Sequence, residues 1–438
     1  MNILFILPEY YPHSKAGIST YYLHYIKAIK PNVNEVKILV GSGYTQADQN
    51  FNLEGVCVEY LKPNLFSKYF DKFVKWELFP DYRNNISAAW AMWDQARQGE
   101  GFDLIECTDF GLGFVPWLIN HTKPVVIRLH GSSGQIEMYE PHLKENLLGD
   151  LYRHTELTLL EEADQLSTHS QENKAFWEKT INRKIQLIEP IFETQKSSIA
   201  FEDKAAYGIV TGRIQEWKGP DILCKAIAEI KDEDLEIRWY GRDTRFNTKK
   251  SKSEALLEQF SGIWGTKIKP QLPIKPATLS KLQQKAKFAV IPSIWDMYNL
   301  TGLEYLNAGT VLICSDGAGV SEIIEDGING FKYAKNDYKE LANCIRKAIT
   351  LQKSDYERIV NNGKAIFKLK LSVDKLVEKN LESYRNTILG FTPSVANVYK
   401  SIIFEPNEQQ MSIDEILNKQ PIRKLVNYLF RRLNAKLR

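Results

Sequence analysis

The sequence predicts an α/β protein of two Rossmann-like parallel-sheet domains facing each other across a cleft. Short apolar runs alternate with stretches of helical periodicity, the alternation restarts after a polar segment at 193–205, and each chemically suggestive motif follows an apolar run. Motifs placed in this way lie outside the carboxyl ends of the strands, where ligands of such sheets bind. At 438 residues the chain exceeds one ordinary core, so two large domains fit its length.

The first domain, 1–195, opens with the strand-like run NILFILP and a helical pattern from about residue 17 to 29. EVKILVG, DLIECTD, VVIRLHG and QLSTHS supply its further strands. The second, 205–370, begins at YGIVTGR and continues through LEIRWYG, FAVIPS and VLICSD, each followed by a helix-like stretch. Residues 371–438 read as helices, part of which would pack back on the first domain, followed by a basic tail.

Hydrophobic content of 43% and charged content of 25% are those of a soluble globular protein. No apolar run approaches the roughly 20 residues that a membrane span needs. The first residues, MNILFILPEYYP, lack a basic leader and cleavage site, which predicts a cytoplasmic protein. Cys57, Cys107, Cys224, Cys314 and Cys344 are scattered without metal-ligand spacing, so neither a zinc site nor a disulfide framework is expected. A net charge of +3 disfavours nucleic acid as the main partner.

Residues 295–309, WDMYNLTGLEYLNAG, place Asp296 and Glu304 around a strand-to-helix turn. Unpaired amides at Asn299, Leu300 and Thr301, with the positive end of the helix dipole, would favour a phosphate there. Glu304 in the first turn would accept both hydroxyls of a ribose diol. The alternative is an Asn or Thr cap followed by an ordinary first-turn acid. Upstream, YGIVTGRIQEWKGPDILCKAI sets Gly212, Arg213, Lys218 and Gly219 between a strand and a helix. An arginine fork and a mobile lysine would together neutralise a diphosphate; a solvated basic turn is the other reading. There is no GxxxxGK[ST] and no GxGxxG, so neither a P-loop nor a dinucleotide fingerprint is supported.

Together these motifs resemble those of the GT-B glycosyltransferases of the large retaining family 4, also called glycosyltransferase group 1, and the resemblance covers most of the chain. It implies that Arg213 and Lys218 grip the donor diphosphate and that Asp296 and Glu304 stand for the family's paired glutamates. GAGVSEIIEDGINGF echoes the downstream signature through Gly319, Glu322, Asp326, Gly327 and Gly330. Gly17 matches the second glycine of the turn after the first strand, where a backbone without Cβ lets donor or acceptor come close. His130, before Gly131, matches the strand-end histidine near the transferred sugar. Glu106 and Asp109 in FDLIECTDFG fall in the segment lining the acceptor side, against the alternative of strand-end solvation. The chain departs from the pattern in having Asp296 for glutamate, Ala16-Gly17 for a glycine pair, Met297-Tyr298-Asn299 for a Phe-Gly step, and IEPIFET before the linker.

The implied reaction is transfer of a hexose from a nucleoside diphosphate sugar to a hydroxyl with retention, in cell-surface polysaccharide or glycolipid synthesis. No metal or other cofactor is expected. The implied partners are the nucleotide sugar and a sugar or lipid-linked acceptor. An epimerase or phosphorylase of the same architecture, or a catalytically silent binding subunit, are the competing readings. Two segments suggest attachment to the inner face of the membrane. In 61–80, Phe66, Tyr69, Phe70, Phe73, Trp76 and Phe79 interleave with Lys68, Lys72 and Lys75, suiting either a headgroup layer or a buried amphipathic helix. The tail 421–438 has Arg423, Lys424, Arg431, Arg432, Lys436 and Arg438 with no acidic residue, which suits anionic lipid, disorder or a partner protein.

Overall fold

The computed structural model describes residues 1–14, 16–43, 49–140, 147–194, 199–230, 234–245, 250–406 and 417–437. The predicted linker at 193–205 lies partly outside them. In the first half the strands are β1 (Asn2–Leu7), β2 (Glu35–Val40), β3 (Phe51–Leu53), β4 (Val56–Tyr60), β5 (Leu104–Thr108), β6 (Asn120–His121), β7 (Val125–Arg128), β8 (Gln165–Thr168) and β9 (Gln186–Leu187). All but β6 form one sheet in the order β3-β4-β2-β1-β5-β7-β8-β9, parallel except for the β3–β4 hairpin at its edge. Helices cover both faces, which is why β1 reads as a continuous apolar run: Ile3 to Leu7 are all buried.

The second sheet joins β10 (Ala205–Thr211), β11 (Glu236–Tyr240), β12 (Ile268–Gln271), β13 (Ala286–Ile291), β14 (Val311–Ser315) and β15 (Phe331–Tyr333). Its order is β12-β11-β10-β13-β14-β15, all parallel. The strand order reverses beside β10, and the loops leaving β10 and β13 therefore border one crevice.

The chain then returns to the first domain. In the helix Val373–Gly390, Asn380 and Tyr384 reach into the first sheet, and Ser383 and Thr387 both donate to Gln165. A short strand β16 (Ser394–Val395) pairs antiparallel with β6. The helix Val398–Phe404 buries Phe404, whose carbonyl accepts from Trp90 Nε1 at 2.8 Å.

This covering decides between the two readings of the aromatic segment at 61–80. Phe66, Tyr69 and Phe73 are buried, and Lys75 donates to the carbonyls of Ile402 and Glu405. The aromatics face the core, and the headgroup reading of that segment is corrected. Among the described residues no helix is long and apolar enough to cross a membrane.

Candidate active site

The loop after β10 is held against the loop after β13 by close backbone contacts. Gly219 has φ of 71°, and a Cβ there would lie 1.9 Å from the Pro292 carbonyl oxygen, so only glycine fits. The amide of Ile294 donates to the Trp217 carbonyl at 2.8 Å. Gly212 is fixed from the other side, its carbonyl accepting from Trp239 Nε1 at 2.8 Å. Arg213 and Lys218 thus leave a braced turn.

Asp296 is joined by both backbone groups to the loop after β14: its amide donates to Gly317 O at 2.8 Å and its carbonyl accepts from Gly319 N at 2.9 Å. Its carboxylate is nearly buried and accepts from Lys218 Nζ and from Asn299 Nδ2, the latter at 2.7 Å. The shorter acid therefore meets the lysine directly. Arg213 keeps solvent access but has no hydrogen-bond acceptor among the described residues. Crowding by protein lowers its pKa, opposed by Glu9, Asp296 and Glu140, and the guanidinium stays charged at neutral pH.

The helix Thr301–Ala308 begins where predicted, after Asn299 in the left-handed region at φ 71°. Its internal bonding starts at the amides of Gly302, Leu303 and Glu304, which return to Asn299 O and Leu300 O. The amides of Asn299, Leu300 and Thr301 donate to no protein acceptor among the described residues. Glu304 Oε2 accepts from Gln283 Nε2 at 2.9 Å, and burial raises its carboxyl above the usual range while that bond opposes the shift. Gln283, on the helix Pro276–Lys285, gave no sequence signal beyond being polar.

On the first domain the predicted residues divide. His130 faces the aromatic cluster, 4.7 Å from the Tyr21 ring and 5.2 Å from His169, with Nε2 buried and unpartnered. Burial, with His169 and Arg128 nearby, holds its pKa well below the usual value, so the ring is neutral. Asp109 is corrected as an acceptor ligand: its buried carboxylate accepts from the amides of His130 at 2.9 Å and Gly131 at 3.2 Å, and so positions the histidine. Glu106 is corrected too. It is fully buried, takes both Nε and Nη2 of Arg128 at 2.8 and 3.0 Å, and accepts from Tyr22 and Tyr384, leaving nothing for a substrate hydroxyl. Gly17 starts the helix Gly17–Ile29, and among the described residues no atom beyond its chain neighbours and its own helix backbone would lie within 4 Å of a Cβ there.

Contacts across the cleft give several residues partners that the sequence did not reveal. Glu322 Oε1 accepts from the amides of Gln171 at 2.7 Å and Glu172 at 3.1 Å, the first turn of the helix Gln171–Ile181. Lys335 pairs with Glu172 at 3.0 Å, and a Cβ on Gly319 would come 2.6 Å from Ser170 Cβ. Tyr139 stacks on Trp295 with centroids 4.6 Å apart and planes 4° from parallel. Among the described residues no three His, Cys, Asp or Glu side chains cluster as metal ligands.

Residues 191–366 match the family model described as Glycosyl transferases group 1. Chlamydia muridarum glycogen synthase is 24% identical over 217 residues, covering 49% of this chain and 44% of that protein. The granule-bound starch synthase 1 of Pisum sativum is 34% identical over 150 residues, covering 32% of this chain and 24% of its own. The chain thus spans less than half the length of these curated relatives. Among solved structures, sucrose-phosphate synthase from Thermosynechococcus elongatus superposes with a TM-score of 0.69 at 16% identity, over 89% of this chain and all of that one. Anabaena HepE in complex with UDP-glucose gives 0.63 at 18% identity, over 88% of this chain and all of its own.

Proposed function

Because residues 191–366 match the glycosyl transferases group 1 model and the chain has the GT-B fold, we propose that it transfers a hexose from a nucleoside diphosphate sugar to a hydroxyl, with retention at the anomeric carbon. One observation carries the reading: Arg213 and the Lys218–Asp296 pair stand on two loops bonded to each other, beside three unpaired amides at a helix start. Such a site favours a diphosphate and, more strongly, a departing one.

As the bond from anomeric carbon to phosphate oxygen stretches, negative charge collects on the diphosphate and positive charge on the ring. Arg213, Lys218 and the amides of Asn299 to Thr301 oppose the first with charges already in place, which lowers a barrier most. Glu304 grips the ribose diol. Lys218 turns toward the diphosphate, and Asp296 orients the sugar from the other side. The acceptor oxygen bonds to the anomeric carbon on the face the phosphate leaves, and its proton passes to the leaving phosphate oxygen. Neutral His130, its backbone amide held by Asp109, stands beside the sugar as an uncharged ring. No metal is needed in this scheme, since the two cations meet the diphosphate charge. The acceptor in this reading is a sugar or lipid-linked hydroxyl of cell-surface polysaccharide or glycolipid synthesis.

A thermal-shift panel of UDP-, GDP- and ADP-sugars tests the donor site, because a ligand at 100 times its Kd stabilises by about 2.7 kcal/mol. One nucleotide series should raise the melting temperature and the others leave it unchanged. Incubation of that donor with acceptor sugars, followed by NMR, should give nucleoside diphosphate and a product of unchanged anomeric configuration. An epimerised sugar nucleotide without nucleoside diphosphate release would overturn the transfer reading, and an inverted product would overturn retention.

A further inference from the structure

None of the described apolar side chains of the helix Ile422–Leu437 is buried. Ile422, Val426, Leu429, Phe430 and Leu433 recur at spacings of three and four along one face, and they are 42 to 78% exposed. Leu425 completes that face. Arg423, Lys424, Arg431 and Arg432 fill the opposite face and its edges, and Lys436 borders the apolar stripe. None of these cations is in an ion pair among the described residues.

Helix Val398–Phe404 docks through Phe404 and the Lys400–Glu162 pair, whereas Ile422–Leu437 has neither a buried anchor nor an acidic partner among the described residues. An isolated helix of this length is marginal in water, so its pattern makes sense against a surface that is apolar within and anionic outside. A second copy of the helix fits poorly, since pairing two such faces would bring two all-cationic sets of side chains together with no carboxylate between them. Nor is the helix a span.

We infer that Ile422–Leu437 lies in the headgroup layer of an anionic bilayer, its leucine and phenylalanine side chains among the acyl chains and its arginines and lysines on lipid phosphates. The inference is independent of the transfer chemistry, because its readout is partition and not turnover.

Co-sedimentation of the full chain with vesicles tests it. The wild type should sediment with phosphatidylcholine vesicles containing phosphatidylglycerol at low salt, stay in solution with pure phosphatidylcholine, and be released at high salt as charges are screened. Arg431→Glu/Arg432→Glu should weaken partition by at least about tenfold, since each cation near such a surface is worth a factor of about five. Leu429→Ser/Phe430→Ser should weaken it as well while keeping every charge. Both variants alter exposed residues, so their melting temperatures should match the wild type. Absence of binding by the wild type, equal binding to neutral vesicles, or full binding by either variant would overturn the inference. So would a lipid-independent dimer abolished by Leu429→Ser/Phe430→Ser, which would make this face an interface between copies.

Discussion

Each sheet carries an acid beside a base, within its strands in the first and beyond them in the second, and the two arrangements do different work. In the first, Glu106 and Arg128 lie on adjacent strands with no exposure, and Tyr22, Tyr384 and Asn380 take up further hydrogen-bonding capacity. In the second, Lys218 and Asp296 meet at the wall of the cleft, while Arg213 and three amides remain without acceptors among the described residues. The first set is closed except for Arg128 Nη1, which is buried without an acceptor among the described residues, and its product is a docked C-terminal helix. The second is left with surplus positive charge, and completing it falls to a ligand. A charge at a strand end marks a binding site only when its compensation has been left to something outside the chain.

Removing one member of the closed set should give the largest effect. Arg128→Met leaves the Glu106 carboxylate buried without its partner and should cost about 3–5 kcal/mol in urea unfolding. Glu106→Gln/Arg128→Met should recover much of that loss, because no charge is then stranded. A loss below about 1 kcal/mol in the single variant would mean that the pair is not closed and would erase the comparison.

Arg213→Ala tests the open set. Turnover should fall by about 10²–10³, the usual cost of losing one preorganised group facing developing charge. Stability should change by no more than about 0.5 kcal/mol, as for other surface substitutions. Near-normal turnover would sink the assignment of Arg213. Glu304→Gln should act more narrowly. Replacing one charged hydrogen-bond acceptor by a neutral one should raise KM for the donor by about tenfold, consistent with the usual 1.5–3 kcal/mol of such bonds. An unchanged KM for the nucleotide sugar would remove the ribose role.

The central strands were legible because both their faces are covered, so that β1, β5, β7, β10 and β13 are nearly unbroken apolar runs. Edge strands were not: β3, β9 and β15 have two or three residues, too few to establish a period. The loops after β10 and β13 were legible as turns between a strand and a helix, since glycine and proline punctuate them at fixed offsets. Glu106 was misread because its partner is tertiary. The one available signal was Arg128 inside VVIRLHG, an arginine in an otherwise buried strand, which must have an acid nearby. Glu322 as a bridge to the helix Gln171–Ile181 had no local signal at all, since its partners are backbone amides about 150 residues away in sequence. The segments 66–79 and 422–437 share an aromatic and basic composition. Only the packing of Phe404 and its neighbours tells the buried one from the exposed one.

Asp109 falls between the closed and open sets, and its titration is the smallest and sharpest test of the distinction. It is buried like Glu106, yet the groups facing its oxygens are backbone amides, which offset the cost of burying charge only in part. Burial raises its pKa from 3.8 to about 7, opposed by those amide bonds. The folded protein therefore holds this proton over a range in which the unfolded chain has released it. By linkage, the contribution of Asp109 to stability is fully present below about pH 4 and is lost as pH rises through about 7. Asp109→Asn cannot ionise and turns a donor toward one amide, so it should be less stable overall but lose less stability between pH 5 and 8. Glu156, raised to about 8 by burial and in lesser part by the Asp109 charge, adds a slope of the same sign that is smaller in Asp109→Asn, so it acts in the same direction as the loss of Asp109 itself. Urea unfolding at a series of pH values measures the difference directly. Equal slopes would mean that the His130 and Gly131 amides compensate the charge completely, which would place Asp109 with Glu106 in the closed set.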